Sequence, residues 1–256
     1  MSPYENCLLA IERLLLTVDV KYWPDSIRRD IQDWQNSRDT SHHLSTYGGM
    51  GSFNDIWICR ENSHNVTEPQ EPWAQSLFEW LKAVAFYLAE HPKDQVSAQE
   101  LQDAVGCYDS VLAAFVGGRN AHTDARGLTH ERERLQGWRC FQCGHSEVTN
   151  RDLERYIAQT LVPGFVFEAC ETQTLEGLVE TVLALQIPHL GYIRAELEAT
   201  VTNSGITFLK REGWMRPCPS CGAENTGVFR WQLTGQKPAR FEPSDDNLPV
   251  IEKITG

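Results

Sequence analysis

Two stretches of this chain carry the same five-residue pattern, Cys-x-x-Cys-Gly: Cys140-Phe141-Gln142-Cys143-Gly144 and Cys218-Pro219-Ser220-Cys221-Gly222. Two thiolates three residues apart can close on a single ion only where the chain turns sharply, and the glycine that follows tolerates the positive φ of such a turn. The two halves together supply four sulfurs, the full ligand set of a closed tetrahedral zinc site. One such pair alone is compatible with redox chemistry, but neither has the strand and helix setting of a thioredoxin-like dithiol. The expected cofactor is one structural Zn²⁺ held by Cys140, Cys143, Cys218 and Cys221. With no position open to water, that ion ties segments together and performs no hydrolysis. His145, next to the first pair, is an alternative ligand. Cys7, Cys59, Cys107 and Cys170 read as small apolar residues.

The 74 residues between Cys143 and Cys218 exceed what a minimal ribbon needs, and they are patterned. Leu153, Tyr156, Ile157 and Leu161 fall at helical spacing, as do Leu175, Leu178, Val179, Val182 and Leu183, and then Leu190, Ile193 and Leu197. Ile206 to Leu209 and Val228 to Leu233 read as strands flanking the second pair. Residues 138–233 therefore look like a zinc ribbon with a long helical insertion.

Upstream, Leu8, Ile11, Leu15 and Val18 mark one face of an opening helix, widened by further leucines. After Trp23-Pro24, a second helix carries Ile27, Ile31 and Trp34 on one face. Three glycines within four positions follow, in Tyr47-Gly48-Gly49-Met50-Gly51-Ser52-Phe53-Asn54-Asp55, and force a tight backbone path. The apolar run 56–59 after them reads as a short buried strand. A third helix with Trp73, Leu77, Trp80, Leu81, Val84 and Leu88 on one side closes at His91-Pro92. Residues 1–91 resemble a bacterial family of unknown function whose members carry two helices, a Gly-Gly-Met-Gly-Ser-Phe-Asn-Asp segment and a further helix. The match is Gly48 to Asp55. The resemblance implies a module and brings no activity with it.

Beyond Pro92, Ser97 and Glu100 form a capping-box pattern ahead of a helix with Leu101, Ala104, Val105, Tyr108, Leu112 and Phe115, which stops at Gly117-Gly118. The expected fold is α+β and mainly helical. An N-terminal helical module with a short buried strand occupies 1–92. A helical module interrupted by, or inserted into, a four-cysteine zinc ribbon occupies 93–237, and a loosely ordered tail runs over 238–256.

The formal net charge of −12 opposes a whole-surface attraction to nucleic acid or anionic lipid. Residues 205–240 run against it, with six basic side chains and two acidic ones. There Arg216, Arg230 and Trp231 are candidates for nucleic-acid binding, aromatic rings stacking on bases while arginines neutralise phosphates. The bland alternative is that these rings cover the metal. No apolar run approaches the roughly 20 residues of a membrane span, and the first residues lack the pattern of a secretory leader. The thiols are thus expected reduced, in a cytoplasm.

Gly48, Gly49 and Gly51 can present N–H groups to an anion, yet no Gly-Lys-Ser/Thr follows; a turn is the simpler role, with Asp55 and Asn54 bonding its backbone. His42, His43 and His64 invite a hydrolytic centre at Asp55, but adjacent histidines on a polar loop are more often solvated. Arg119, His122, Asp124, His130, Glu131 and Glu133 read as a solvated face. The sequence therefore points to a zinc-stabilised cytoplasmic binding protein, leaning away from an enzyme, whose partner is another protein. A role in bacterial conflict or defence is compatible with it and is demanded by no residue. The alternatives are a nucleic-acid-binding zinc ribbon and an enzyme centred on Gly48–Asp55.

Overall fold

The computed structural model describes residues 2–92, 134–172, 174–184, 190–210, 217–234, 238–244 and 247. The helix expected over 97–117 and the charged stretch 119–133 lie outside them. The architecture is α+β, with helices predominating and one five-stranded sheet. The chain forms two compact units. One takes residues 2–92 with the described part of 158–188, and the other takes 134–157 with the described part of 189–256. No helix of the described residues is long and apolar enough to cross a membrane.

In the first unit, helix α1 (Pro3–Thr17) starts where Ser2 accepts the Glu5 N–H at 3.2 Å, with proline in the first turn. It buries Cys7, Leu8, Ile11, Leu14 and Leu15 completely. Helix α2 (Trp23–Ser37) ends at Arg38, whose φ of 59° breaks the helix. The Arg38 guanidinium then lies 4.8 Å from the centre of the Trp34 ring. A short helix α3 (Ser41–Ser45) and two 3₁₀ turns (Phe53–Asp55 and Arg60–Asn62) lead to α4 (Glu71–Glu90). Helix α4 is apolar on nearly every side, the signature of a central helix.

Residues 56–59 are not a strand. The Ile58 N–H donates to the Gln75 side chain at 2.7 Å and the Cys59 N–H to His64 Nδ1 at 3.2 Å. Side chains satisfy donors that a ladder would otherwise serve, so the buried run needs no partner strand. Periodicity alone cannot separate these cases in so short a run.

Strands β1 (Arg134–Cys140) and β2 (Ser146–Thr149) form a hairpin across the first cysteine turn. Helix α5 (Asn150–Thr172) starts on a reciprocal cap, in which Asp152 accepts from the Thr149 N–H and hydroxyl while its own N–H reaches the Thr149 oxygen. Helices α6 (Leu175–Leu183) and α7 (Leu190–Asn203) follow. Helix α6 belongs to the first unit and packs on α1 and α4, with Arg13 bound to Glu180 at 2.7 Å. Strands β3 (Thr207–Leu209), β4 (Thr226–Leu233) and β5 (Phe241–Pro243) complete the sheet in the order β3-β2-β1-β4-β5.

All neighbours are antiparallel except β2 and β3, which are parallel. A parallel neighbour requires a crossover of a dozen or more residues, usually helical, and the segment between the cysteine pairs supplies it. Within the tail, expected to be loose, residues 241–244 and Asn247 are tied to the sheet. Phe241 pairs with Leu233 and is buried, and Asn247 bonds both backbone groups of Arg230. Pro243 is tolerated because β5 is an edge strand.

The β1–β2–β4 contact is closest at Gly137, where an added Cβ would lie 2.5 Å from both the Glu147 carbonyl oxygen and a Val148 methyl. Gly137→Ala is expected to cost about 1–3 kcal/mol in urea unfolding. Gly48→Ala, with nothing within 4 Å of its added Cβ, is expected to change stability by less than about 0.5 kcal/mol.

Candidate metal centre

The two Cys-x-x-Cys-Gly turns fold alike, bond for bond. In the first, the Cys140 N–H donates to the His145 carbonyl at 2.8 Å and the Gly144 N–H to the Cys140 carbonyl at 2.9 Å. In the second, the Cys218 N–H donates to Ala223 at 2.9 Å and the Gly222 N–H to Cys218 at 2.8 Å. Gly144 and Gly222 have φ of 77° and 72°, which an L side chain would resist. The N–H groups of His145 and Ala223 are then spent on the second sulfur of their turn, Cys143 and Cys221 respectively. Tertiary structure brings the turns together because β1 and β4 pair along their length, in a register that ends at Cys140 opposite Thr226.

Cys140 Sγ lies 3.6 Å from Cys221 Sγ, and Cys143 Sγ lies 3.7 Å from Cys218 Sγ. All four sulfurs lie within 4.8 Å of one another. A disulfide would need about 2.05 Å. A tetrahedron with metal–sulfur bonds of about 2.3 Å has edges of about 3.8 Å, so the four sulfurs suit one tetrahedral ion. Cys140 and Cys218 are buried beside Trp138, while Cys143 and Cys221 are exposed.

The electrostatics point the same way. The His145 N–H draws the Cys143 thiol down to about 7. At Cys221 the Ala223 N–H also favours the thiolate, but the thiols of Cys143, Cys140 and Cys218 outweigh it and push the group up to about 12. Four anions in contact cannot all form unless a cation stands among them. His145 is not a ligand in this arrangement. Its Nε2 is turned to buried Glu147 at 2.9 Å.

Among the described residues, the other sequence candidates are spread over separate local structures. Gly49 and Gly51 adopt φ of 87° and 74° and, with Gly48, shape the turn before Ser52. Asp55 accepts the Ser52 N–H at 2.9 Å, closing a capping box, and Asn54 bonds the Tyr47 carbonyl at 2.8 Å. Phe53 is fully buried among Trp23, His43, Tyr47 and Phe78. Arg216 lies outside the described residues. Arg230 is half-buried, and Trp231 is 2% exposed with its ring against Phe229, out of reach of a stacking base.

His42 and His43 are not solvated loop residues. Both turn their Nδ1 to Asp30, which is 2% exposed, His43 at 2.9 Å. His43 Nε2 meets the Tyr47 hydroxyl, which itself donates to the Lys82 carbonyl at 3.0 Å. Sequence reasoning missed Asp30. The available signal was an acid three residues after Ile27, within the apolar stripe of α2. His64 is placed elsewhere, its Nδ1 accepting the Cys59 N–H.

Asp30→Ala leaves buried His43 Nδ1 without its partner and removes that of His42, and a loss of about 1–3 kcal/mol is expected in chemical denaturation. Burial holds His64 below the usual histidine pKa, so its neutral form is the one the fold favours. That contribution is complete above about pH 6.5 and is lost as pH falls through the folded value. The native chain is therefore expected to lose more stability between about pH 7 and about pH 5 than His64→Gln, measured as the difference in urea midpoints.

Residues 16–67 match the family model DUF6966, described as a domain of unknown function. The match takes in Asp30, His42, His43 and the whole of Gly48–Asp55. No curated protein and no solved structure matches the chain.

Proposed function

We propose that this chain is a zinc-stabilised cytoplasmic binding protein whose partner is another protein. The observation that carries the binding half is the placement of large apolar side chains in solvent. Among the described residues six large apolar side chains are exposed; four of them, Leu16, Tyr22, Met50 and Trp57, at 48%, 73%, 104% and 52%, fall within the family-matched span, and Tyr192 and Val228 lie outside it. The loop after Trp57 bonds to the α1–α2 turn through the Asn65 N–H and Val18 carbonyl at 2.8 Å, and Tyr22 leans on Trp23, which leans on Phe53. Exposed aromatic and methionine side chains are the residue types enriched in protein-docking surfaces.

The metal half rests on the four sulfurs. An all-thiolate tetrahedral set selects zinc or iron among common metals, and zinc needs no redox partner to remain bound. With four protein ligands the ion is structural, joining the β1–β2 hairpin to the turn that precedes β4. Cys7, Cys59, Cys140, Cys143, Cys218 and Cys221 form no disulfide, as in a reducing compartment.

Nucleic-acid binding has one specific observation in its favour, the Arg139 guanidinium 4.7 Å over the Phe229 ring on the sheet. Burial of Trp231 weighs against it. A catalytic centre at Asp55 has less support, since that carboxylate is engaged in its own turn.

The purified chain is expected to hold one zinc per molecule by elemental analysis, and Cys218→Ser to hold less than about a tenth of that. A Met50→Ser/Trp57→Ser double variant is expected to lose the cross-linked protein partners that the native chain captures in its own cell extract, with unchanged zinc content. Capture unaffected by the double variant would defeat the docking assignment. Nucleic-acid binding whose log affinity falls by about 0.9 per neutralised phosphate in a salt titration would establish the second reading.

A further inference from the structure

We infer that the four-sulfur centre is also an oxidation site for hydrogen peroxide, at which two disulfides form between the turns and the metal is released. The inference rests on the zinc reading above and adds a reaction to it. Each turn contributes one buried sulfur, Cys140 or Cys218, and one exposed sulfur, Cys143 or Cys221. A small oxidant from solvent therefore meets Cys143 and Cys221 first.

Each exposed sulfur has a buried sulfur of the opposite turn within reach. Cys143 faces Cys218 at 3.7 Å and Cys221 faces Cys140 at 3.6 Å. The Cys143 thiolate attacks one peroxide oxygen and the O–O bond breaks, leaving a sulfenic acid and a hydroxide. The Cys218 thiolate then attacks that sulfur, forming the S–S bond and expelling the second hydroxide. Two electrons leave the sulfur pair, one peroxide is reduced to two hydroxides, and solvent supplies their protons. A second peroxide takes Cys221 and Cys140 through the same steps. Four anionic ligands have then become two neutral disulfides, and neither retains the charge that held a dication.

The oxidised product keeps the sheet closed. Both disulfides run from the turn after β1 to the turn before β4, where the ion had joined them, so oxidation exchanges one cross-link for two. The chain thus answers peroxide by shedding metal while residues 140 and 221 stay neighbours. Buried Cys7, whose thiol donates to the Leu81 carbonyl at 3.3 Å, serves as an internal control.

The test uses the full zinc-loaded chain, with zinc first measured before treatment. Hydrogen peroxide is then added, released zinc is read with a metallochromic dye, and disulfides are mapped by mass spectrometry without reduction. The expected result is release of one zinc per chain, with peptides linking Cys143 to Cys218 and Cys140 to Cys221, Cys7 still a thiol, and rebinding after dithiothreitol and zinc. Zinc retained under peroxide overturns the inference and leaves the zinc reading standing. Disulfides within a turn, or sulfinic and sulfonic acids in place of disulfides, also overturn it. A chain empty of zinc before treatment defeats the earlier reading instead.

Discussion

Four sulfurs held within 4.8 Å of one another would repel as thiolates, and a cation among them would remove that repulsion. Much of the second unit follows from that meeting. The cysteine turns are local structures, each closed by its own backbone bonds and its own left-handed glycine. What they cannot do locally is find one another. That is achieved by the β1–β4 pairing, which ends with Cys140 opposite Thr226 and delivers the second turn to the first.

The long segment between the turns is the consequence of one parallel strand pair. Had β3 returned antiparallel to β2, a tight turn would have sufficed. Because β3 runs parallel, the chain must travel back along the sheet, and it does so through α5, α6 and α7. Helix α6 packs within the other unit, against α1 and α4, where Gln70 donates to the Leu183 carbonyl at 2.6 Å. The crossover therefore supplies core to the unit that contains the family-matched span.

That first unit is organised around a polar centre as well as an apolar one. Asp30 sits inside the helix packing, and His42, His43 and Tyr47 close over it in a chain of bonds that reaches the backbone of α4. The Gly48–Asp55 segment continues directly from this network and returns Phe53 to the aromatic core. Its glycines shape a turn, and Met50 within it and Trp57 just after it are left in solvent. A rigid interior thus presents Met50 and Trp57 outward.

The sequence by itself determined the cysteine turns, the mixed and mainly helical class, and the apolar faces of α1, α2, α4, α6 and α7, because each is written in spacings of three to seven residues. It left the partners of those elements open. Residues 56–59 looked like a strand because a short apolar run has the same pattern in either conformation, and only the Gln75 and His64 side chains decided otherwise. Trp231 looked available for stacking until β1 and β2 brought Gly137 and its neighbours against it. Strands β1 and β2 carry no strong alternation, since β2 is buried on both faces, and β5 is three residues long and held by its pairing with Trp231–Leu233. Asp30 was legible only as an oddity in an apolar stripe. Its two histidines lie beyond the end of its helix, so the meeting of charge and imidazole was settled by packing, where burying a carboxylate demands nearby donors.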